Sequence, residues 1–313
     1  MRYTNVGIKG VGSYLPSKIV TNHEIENHVN TTHDWIKNKL GIDERRVADE
    51  LPSEMGYKAA VKALESANLK IDDIDLIIVA TSSPEKISPS TACTIHSKFN
   101  ISKNIPAFDI NAVCSGFVYA INLMIPLISF GVHKNVLIIA TEAYSKITNW
   151  DDQHSVFFGD GAGAIVLSYD TDGWMSYESS ANGSGTGMTG FNVPIGGPFV
   201  MRGTEVWNQA IKVLPISIQN VLEKSGISVN DINMIVPHQP SINILKIIAD
   251  EVGVPMEKVK TVMHKYANIA GASIPIALDD AIMNNQIKSG DIIIFTAIGA
   301  GWAWGSTIMK WIK

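Results

Sequence analysis

The sequence predicts an α/β fold built by duplication, with two similar halves stacked as a layered α-β-α-β-α sandwich. Three observations predict it. Leu64–Val79 (LESANLKIDDIDLIIV) returns in character at Leu222–Pro237 (LEKSGISVNDINMIVP), 158 positions on, and Asn135–Ala143 (NVLIIATEA) returns at Asp291–Gly299 (DIIIFTAIG), 156 positions on. Two matches at nearly one offset, about half of the 313 residues, point to a duplicated unit of roughly 150 residues, far longer than a solenoid repeat. The strand candidates are continuous apolar runs rather than alternating ones, the pattern of strands buried on both faces. Finally, those runs alternate with helical segments, which is the signature of α/β layers.

The elements follow in order. Leu76–Ala80, Val136–Thr141 and Ile292–Ala297 read as strands. Ser53–Ser66, Ser115–Ser129, Glu205–Lys224, Ser241–Val252 and Ser273–Asn285 read as helices. Segment 171–204 is rich in Gly, Ser and Thr, lacks periodicity, and reads as a loop-heavy connection. The halves are therefore expected at 1–170 and 171–313.

Composition narrows the function. Charged residues make up 18% against a usual ~25%, and apolar residues 46%, which fits a large core or a subunit interface and excludes disorder. The net charge is −5, and no Lys/Arg run exceeds Arg45-Arg46, so nucleic acid is not an expected partner. Met1–Gly10 has no apolar signal core, and no run reaches ~18 uninterrupted apolar residues. A soluble cytoplasmic protein with reduced thiols is the expectation; two cysteines make no disulfide scaffold. The eight His show no i, i+4 pair and no CxxC occurs, so no metal is expected.

Several residues are placed where chemistry collects. Cys114 follows a short apolar strand and opens a helix of small residues, where the helix dipole and free N–H groups favour a thiolate. Read alone, it also fits a buried small hydrophobe. Cys93, in STACTIH, has no such setting. His238, in IVPHQPS, stands after an apolar strand and before a helix, at a strand end where sites in α/β sheets gather. Asn268, in KYANIAGAS, read alone is a turn or cap residue. The cluster Gly159–Ala164 (GDGAGA) precedes a strand and lacks the helix and Lys-Ser/Thr of a phosphate loop. Ile298–Trp302 (IGAGW) follows a strand and suits a backbone N–H facing a ligand closely.

Together these segments resemble the β-ketoacyl-acyl carrier protein synthase III family of the thiolase superfamily. The resemblance runs nearly end to end. It rests on GVGSYLP at 10–16, DWIKNKLGIDERR at 34–46, the Cys114 segment, FGDGAGA at 158–164, VPHQ at 236–239, the Asn268 segment and GAGWAWGS at 299–306. It implies a thiolase-like duplicated fold, a homodimer, and a Cys-His-Asn triad on Cys114, His238 and Asn268. The implied chemistry begins with transfer of an acyl group from a CoA or acyl carrier protein thioester to Cys114. A malonyl thioester then loses CO₂ while Nε2 of His238 and the amide of Asn268 hold its carbonyl. Backbone N–H groups of Cys114 and Ala300 would hold the oxyanion of the condensation step. No cofactor is implied, because loss of CO₂ drives the reaction.

The sequence also departs from the family. Asn243 stands where an Arg is usual after PHQ, and Asn208 where a Lys is usual. Asp250-Glu251 replaces a Lys-Lys pair, and the region of Asp152 lacks an expected Arg. Trp35 and the charge of Lys39 are retained, and Arg202 and Lys246 compensate in part. Fewer positive charges weaken attraction to phosphate and to an acidic carrier protein. Ile87-Ser88 takes the place of a Phe that limits primer length across the dimer interface, which predicts a longer or unusual acyl group. Two alternatives stand beside condensation: an acyltransferase passing the acyl group to an alcohol or amine, and a non-catalytic subunit that binds acyl carriers.

Overall fold

The computed structural model describes residues 1–183 and 185–312. It opens with β1 (Tyr3–Tyr14), a small ribbon of β2 (Ile19–Thr21) and β3 (Glu44–Arg46), and, inside that ribbon, α1 (Asn22–Ile25) and α2 (His33–Leu40). Next come α3 (Pro52–Ala67), β4 (Leu76–Ala80), α4 (Thr91–His96), β5 (Ala107–Ile110), α5 (Gly116–Ser129) and β6 (Asn135–Ala143). A strand of 22 residues, β7 (Asp160–Ala181), leads to α6 (Gly185–Thr189) and a ribbon of β8 (Phe191–Asn192) and β9 (Val200–Met201). The chain closes with α7 (Gly203–Ser225), β10 (Met234–Pro237), α8 (Ile242–Val252), α9 (Met263–Tyr266), α10 (Ser273–Met283), β11 (Ile292–Gly299) and β12 (Ala303–Lys310).

The five helices and three strands read from the sequence are present within about two residues of the expected bounds or as the core of a longer strand. One expectation is corrected. Segment 171–204 is not all loop: β7 continues through 170 as far as Ala181, because its last residues pair with β12 from Ala303↔Ala181 to Met309↔Met175. Its first part pairs with β6 and β1. The strand-opening glycines of GDGAGA are packing residues, since a Cβ on Gly163 would stand 2.7 Å from the Pro275 ring of α10.

Each set of strands has the same neighbours. The first runs β5-β4-β6-β7-β1, with two parallel and then two antiparallel pairings. The second runs β10-β11-β12-β7, preceded by a parallel bridge from Ile235 to Val259, in the same sequence of senses. The repeated sequence segments occupy equivalent places. Helix α3 ends on Asn68 at φ 54°, and α7 ends on Gly226 at φ 66°. Both are left-handed caps, and each returns the next amide to the helix, Leu69 N–H to Leu64 O and Ile227 N–H to Leu222 O.

Layering follows from where apolar side chains go. Helices α5 and α10 lie between the two sets, in one core with Ile78 and Ile138 from the first and Val236 and Phe295 from the second. Helix α3 covers the outer face of the first set through Ala59, Ala63 and Val166. Helices α7 and α8 cover the second through Leu214, Ile218, Leu245 and Ile294. The result is the α-β-α-β-α order. Among the described residues, no helix is long and apolar enough to cross a membrane.

Candidate active site

Cys114 sits in a tight turn, Val113–Ser115, between the end of β5 and the start of α5. Short-range bonds shape this turn. Asn111 Oδ1 accepts from Val113 N–H at 3.1 Å, and Ser115 Oγ donates to the Ala112 carbonyl at 2.7 Å. Val113 adopts φ 49°, costly for a β-branched residue. The end of β11 presses against the turn: a Cβ on Gly299 would meet the Ala112 carbonyl at 2.3 Å and Cys114 N at 3.1 Å. Only glycine permits this approach, and it carries Ala300 to the side of Cys114.

His238 and Asn268 come from the second half. His238 follows β10, its backbone N–H bonded to the Thr296 carbonyl at 2.8 Å, and the residue is 4% exposed. The backbone of Asn268 is tied to the segment before β7: its N–H reaches the Phe157 carbonyl at 3.1 Å, and its carbonyl receives Gly159 N–H at 3.0 Å. One residue then orients both side chains. Ala270 N–H donates to Asn268 Oδ1 at 2.8 Å, and the Ala270 carbonyl accepts from His238 Nδ1 at 3.1 Å. A carbonyl only accepts, so Nδ1 carries the proton and neutral His238 presents a bare Nε2. Asn268, its oxygen occupied, points Nδ2 at that nitrogen, 3.4 Å away. Ala270 holds this clamp at φ 41°.

A pocket of about 350 Å³ has Cys114, His238, Asn268 and Ala300 in its wall. The rest of its lining is mostly apolar, including Phe157, Phe158, Phe191, Met201 and Trp302. Behind the wall, Tyr144 stacks on Phe158 with centroids 4.5 Å apart, and Phe199 meets Phe158 at 4.9 Å and Phe191 at 5.6 Å. These rings share one buried cluster with Cys114. The titration of the site follows from burial. Burial pushes the Cys114 thiol above its ordinary range, with the Glu142 carboxyl adding to the effect. This reverses the expectation of an easily ionised thiol: in the free enzyme desolvation outweighs the start of α5. Burial also lowers His238 to about 4, so it is neutral at physiological pH.

The remaining sequence candidates divide. Trp35, Lys39 and Asn243 line the pocket, and Asn243 Nδ2 donates to the Lys39 carbonyl at 3.1 Å, joining α8 to the end of α2. Asn208 does not line it; it is an exposed residue of α7, while Gly203, Val206, Trp207 and Ala210 present the inner face of that helix. Ile87 and Ser88 do not border the pocket of this chain either; they lie on an exposed loop, Ile87 with 77% of its surface free. Residues that sequence reasoning missed are the aromatic wall and Glu142. The Phe157-Phe158 pair directly before GDGAGA was the available signal.

A second groove, about 450 Å³, adjoins the first through Trp35, Phe157 and Gly203. Its wall adds the polar side chains Asn30, Thr31, Gln153 and His154, the last 2.7 Å from Asp152, to Trp35 and Phe157, and carries no Lys or Arg among the described residues. Among the described residues no group of three or more His, Cys, Asp or Glu is arranged to hold a metal.

Comparison with known proteins agrees with this geometry. Residues 108–183 match the family described as 3-oxoacyl-[acyl-carrier-protein (ACP)] synthase III, and residues 222–311 match its C-terminal counterpart. The chain is 39% identical over 326 residues to the β-ketoacyl-[acyl-carrier-protein] synthase III of Clostridium acetobutylicum, covering 99% of each chain. It is 40% identical over 314 residues to that of Oceanobacillus iheyensis, covering 99% of this chain and all of the other. The crystal structure of 3-oxoacyl-[acyl-carrier-protein] synthase III from Aquifex aeolicus superposes with a TM-score of 0.94 at 38% identity, over 98% of this chain and 100% of that one. The priming β-ketosynthase of the R1128 polyketide pathway superposes at 0.91 with 29% identity, over 99% and 97%. The chain belongs to the β-ketoacyl-acyl carrier protein synthase III family.

Proposed function

We propose that this protein condenses an acyl primer with a malonyl thioester, as a β-ketoacyl synthase III starting fatty acid or related ketide synthesis. The observation that carries this reading is the convergence of Cys114, His238 and Asn268 on one apolar pocket, with Ala270 fixing the last two.

The geometry supports a proton path in which every proton is accounted for. Bare Nε2 of His238 accepts the thiol proton as Cys114 sulfur attacks the acyl thioester. The S–acyl bond forms, the old thioester bond breaks, and the donor thiolate leaves to be protonated by water. His238 is then an imidazolium, bonded through Nδ1 to Ala270 and able to donate from Nε2. This sharpens the role read from the sequence: donation from Nε2 requires the charged ring, because Nδ1 already holds the neutral ring's proton. Burial opposes that charge, and the incoming malonyl carboxylate supplies the counter-ion. When the C–CO₂ bond breaks, its electron pair becomes an enolate held by Nε2–H and by Nδ2–H of Asn268. The enolate attacks the acyl-Cys carbonyl. Backbone N–H groups of Cys114 and Ala300 hold the resulting oxyanion, a donor of that kind being worth about 3–4 kcal/mol. Collapse releases the β-keto product, and the Cys114 thiolate takes its proton back from His238.

In this reading the halves 1–170 and 171–313 each supply part of the site, and no cofactor or metal takes part. Trp35, Lys39 and Asn243 line the way in for the pantetheine arm of an acyl-CoA or acyl carrier protein. A homodimer is part of the proposal: β5 lies at the end of its sheet, Phe108 on it is 40% exposed, and Ile87 and Ser88 stand free nearby in sequence for a second copy to cover.

Intact-protein mass measured after exposure to a panel of acyl-CoA and acyl carrier thioesters tests the reading. An acyl mass gain absent in Cys114→Ala, followed by CO₂ release and a β-keto product with malonyl thioester, is the expected result. Ester or amide formation without CO₂ release would support acyl transfer instead. Failure to gain mass from any thioester would sink both.

A further inference from the structure

Beneath the nucleophile lies a buried carboxyl that the proposed chemistry does not use. Glu142, next to last in β6, is fully buried. Its two oxygens share the Ser82 N–H at 3.2 Å each. Ser82 Oγ donates to Oε1 at 3.0 Å, and Ser83 Oγ to Oε2 at 2.5 Å. Ser83 Oγ also accepts Ala143 N–H at 2.9 Å, while Ser82 Oγ is 2.9 Å from the hydroxyl of Tyr144. All the protein groups that bond Glu142 in this way are donors, the arrangement suited to an ionised carboxylate. Yet among the described residues no Lys, Arg or His forms an ion pair with it.

The nucleophile is close. A Cβ placed on Gly271 would stand 3.3 Å from the Val113 carbonyl and 3.7 Å from Glu142 Oε1, so the carboxylate lies within about 7 Å of the turn that bears Cys114. The titratable groups that share this space are Cys114, from the turn before α5, and Tyr144, from the segment after β6. A buried volume with no cation tolerates one negative charge far better than two.

We propose that Glu142 is a positioning residue that acts on Cys114 through charge: ionised, it adds to burial in holding the thiol protonated in the free enzyme, and neutralised, it makes the thiol easier to ionise. This rests on Cys114 being the nucleophile. The consequence is a nucleophile that stays protected from alkylating and oxidising agents until a thioester is bound and His238 takes the proton.

The test is alkylation of Cys114 by iodoacetamide across pH, followed by intact mass. The exposed thiol Cys93 is first removed as Cys93→Ser. Glu142→Gln in that background keeps the shape and removes the charge. Its alkylation profile is expected to move about one pH unit lower, making the thiol about tenfold more reactive near neutrality. A purely structural role would lower the melting temperature without that displacement. If the Gln variant does not fold, Ser83→Ala, which removes one donor to the carboxylate, is expected to move the profile the same way by less. Profiles that coincide with the parent, or move upward, would overturn the proposal. Because alkylation needs no thioester, loss of acyl loading in the parent would count against the nucleophile itself and is read separately.

Discussion

Replacing Glu142 with Gln is expected to stabilise the fold at high pH and not at low pH. Burial lifts the carboxyl from 4.5 to about 7, so between those values the folded chain holds a proton that the unfolded chain has released. The contribution is complete below pH 4.5 and is lost as pH rises through 7. A displacement of that size corresponds to about 3 kcal/mol. His238 behaves in the opposite sense. Lowered from 6.5 to about 4, it contributes fully above pH 6.5, and its contribution is lost as pH falls through 4. Between about 4.5 and 6.5 the two slopes oppose each other, so this pair leaves the parent nearly flat. In Glu142→Gln only the His238 slope remains. The variant should therefore gain on the parent from pH 4.5 to 7, by about 3 kcal/mol. For a chain of 313 residues, an unfolding entropy of roughly 2.1 cal/mol/K per residue turns this into about 4–5 °C in Tm. Paired scanning calorimetry at pH 4.5 and pH 8 measures it. A Tm difference between variant and parent that is the same at both pH values would refute the reasoning, since Glu142 would then titrate at its ordinary value.

Three further outcomes are expected. Asn268→Asp should still accept Ala270 N–H and still allow acyl loading of Cys114, but an ionised carboxylate cannot donate to an enolate; malonyl decarboxylation should fall by about 10²–10³-fold, read as CO₂ release. Gly299→Ala drives a Cβ to 2.3 Å from the Ala112 carbonyl, so it should displace the Cys114 turn and reduce acyl loading far more than it lowers Tm; normal loading rates would show that the turn yields freely. Phe199→Ala removes a ring packed on both Phe158 and Phe191, at a cost of about 3–5 kcal/mol, and lets Phe191 fall back from the pocket. It should load longer acyl chains than the parent, and an unchanged chain-length profile in a folded variant would show that these rings do not limit the primer.

What could be read in the sequence was what local chemistry encodes. The repeated helix ends at Asn68 and Gly226 and the buried strands announce themselves within a few positions, whereas the triad residues are picked out together only by the family resemblance of their segments. What could not be read depends on distant partners. Strand β1 is diluted by Gly7, Gly10 and Gly12, and β7 runs past the expected division, because β12 arrives from the far end of the chain to pair with it. The aromatic wall is assembled from Tyr144, Phe158, Phe191 and Phe199, positions with no common spacing. Asn208 lies off the pocket wall because an exposed helix face carries it, and Ile87 and Ser88 stand on an exposed loop, where a role across a dimer interface would need a second copy. Glu142 gave no sign in NVLIIATEA beyond a charge at the end of a buried strand, and only the serines of a separate loop show how that charge is held.

The 22-residue strand β7 has a mechanical meaning. A single backbone serves as an inner member of one set of strands and the edge of the other, so the halves share a spar. A jaw-like opening of the halves would have to break backbone pairing on one side of that strand. By the same logic, a cut at the expected division near residue 170 would sever a strand both halves need, and the two fragments would have to reassemble around it to fold.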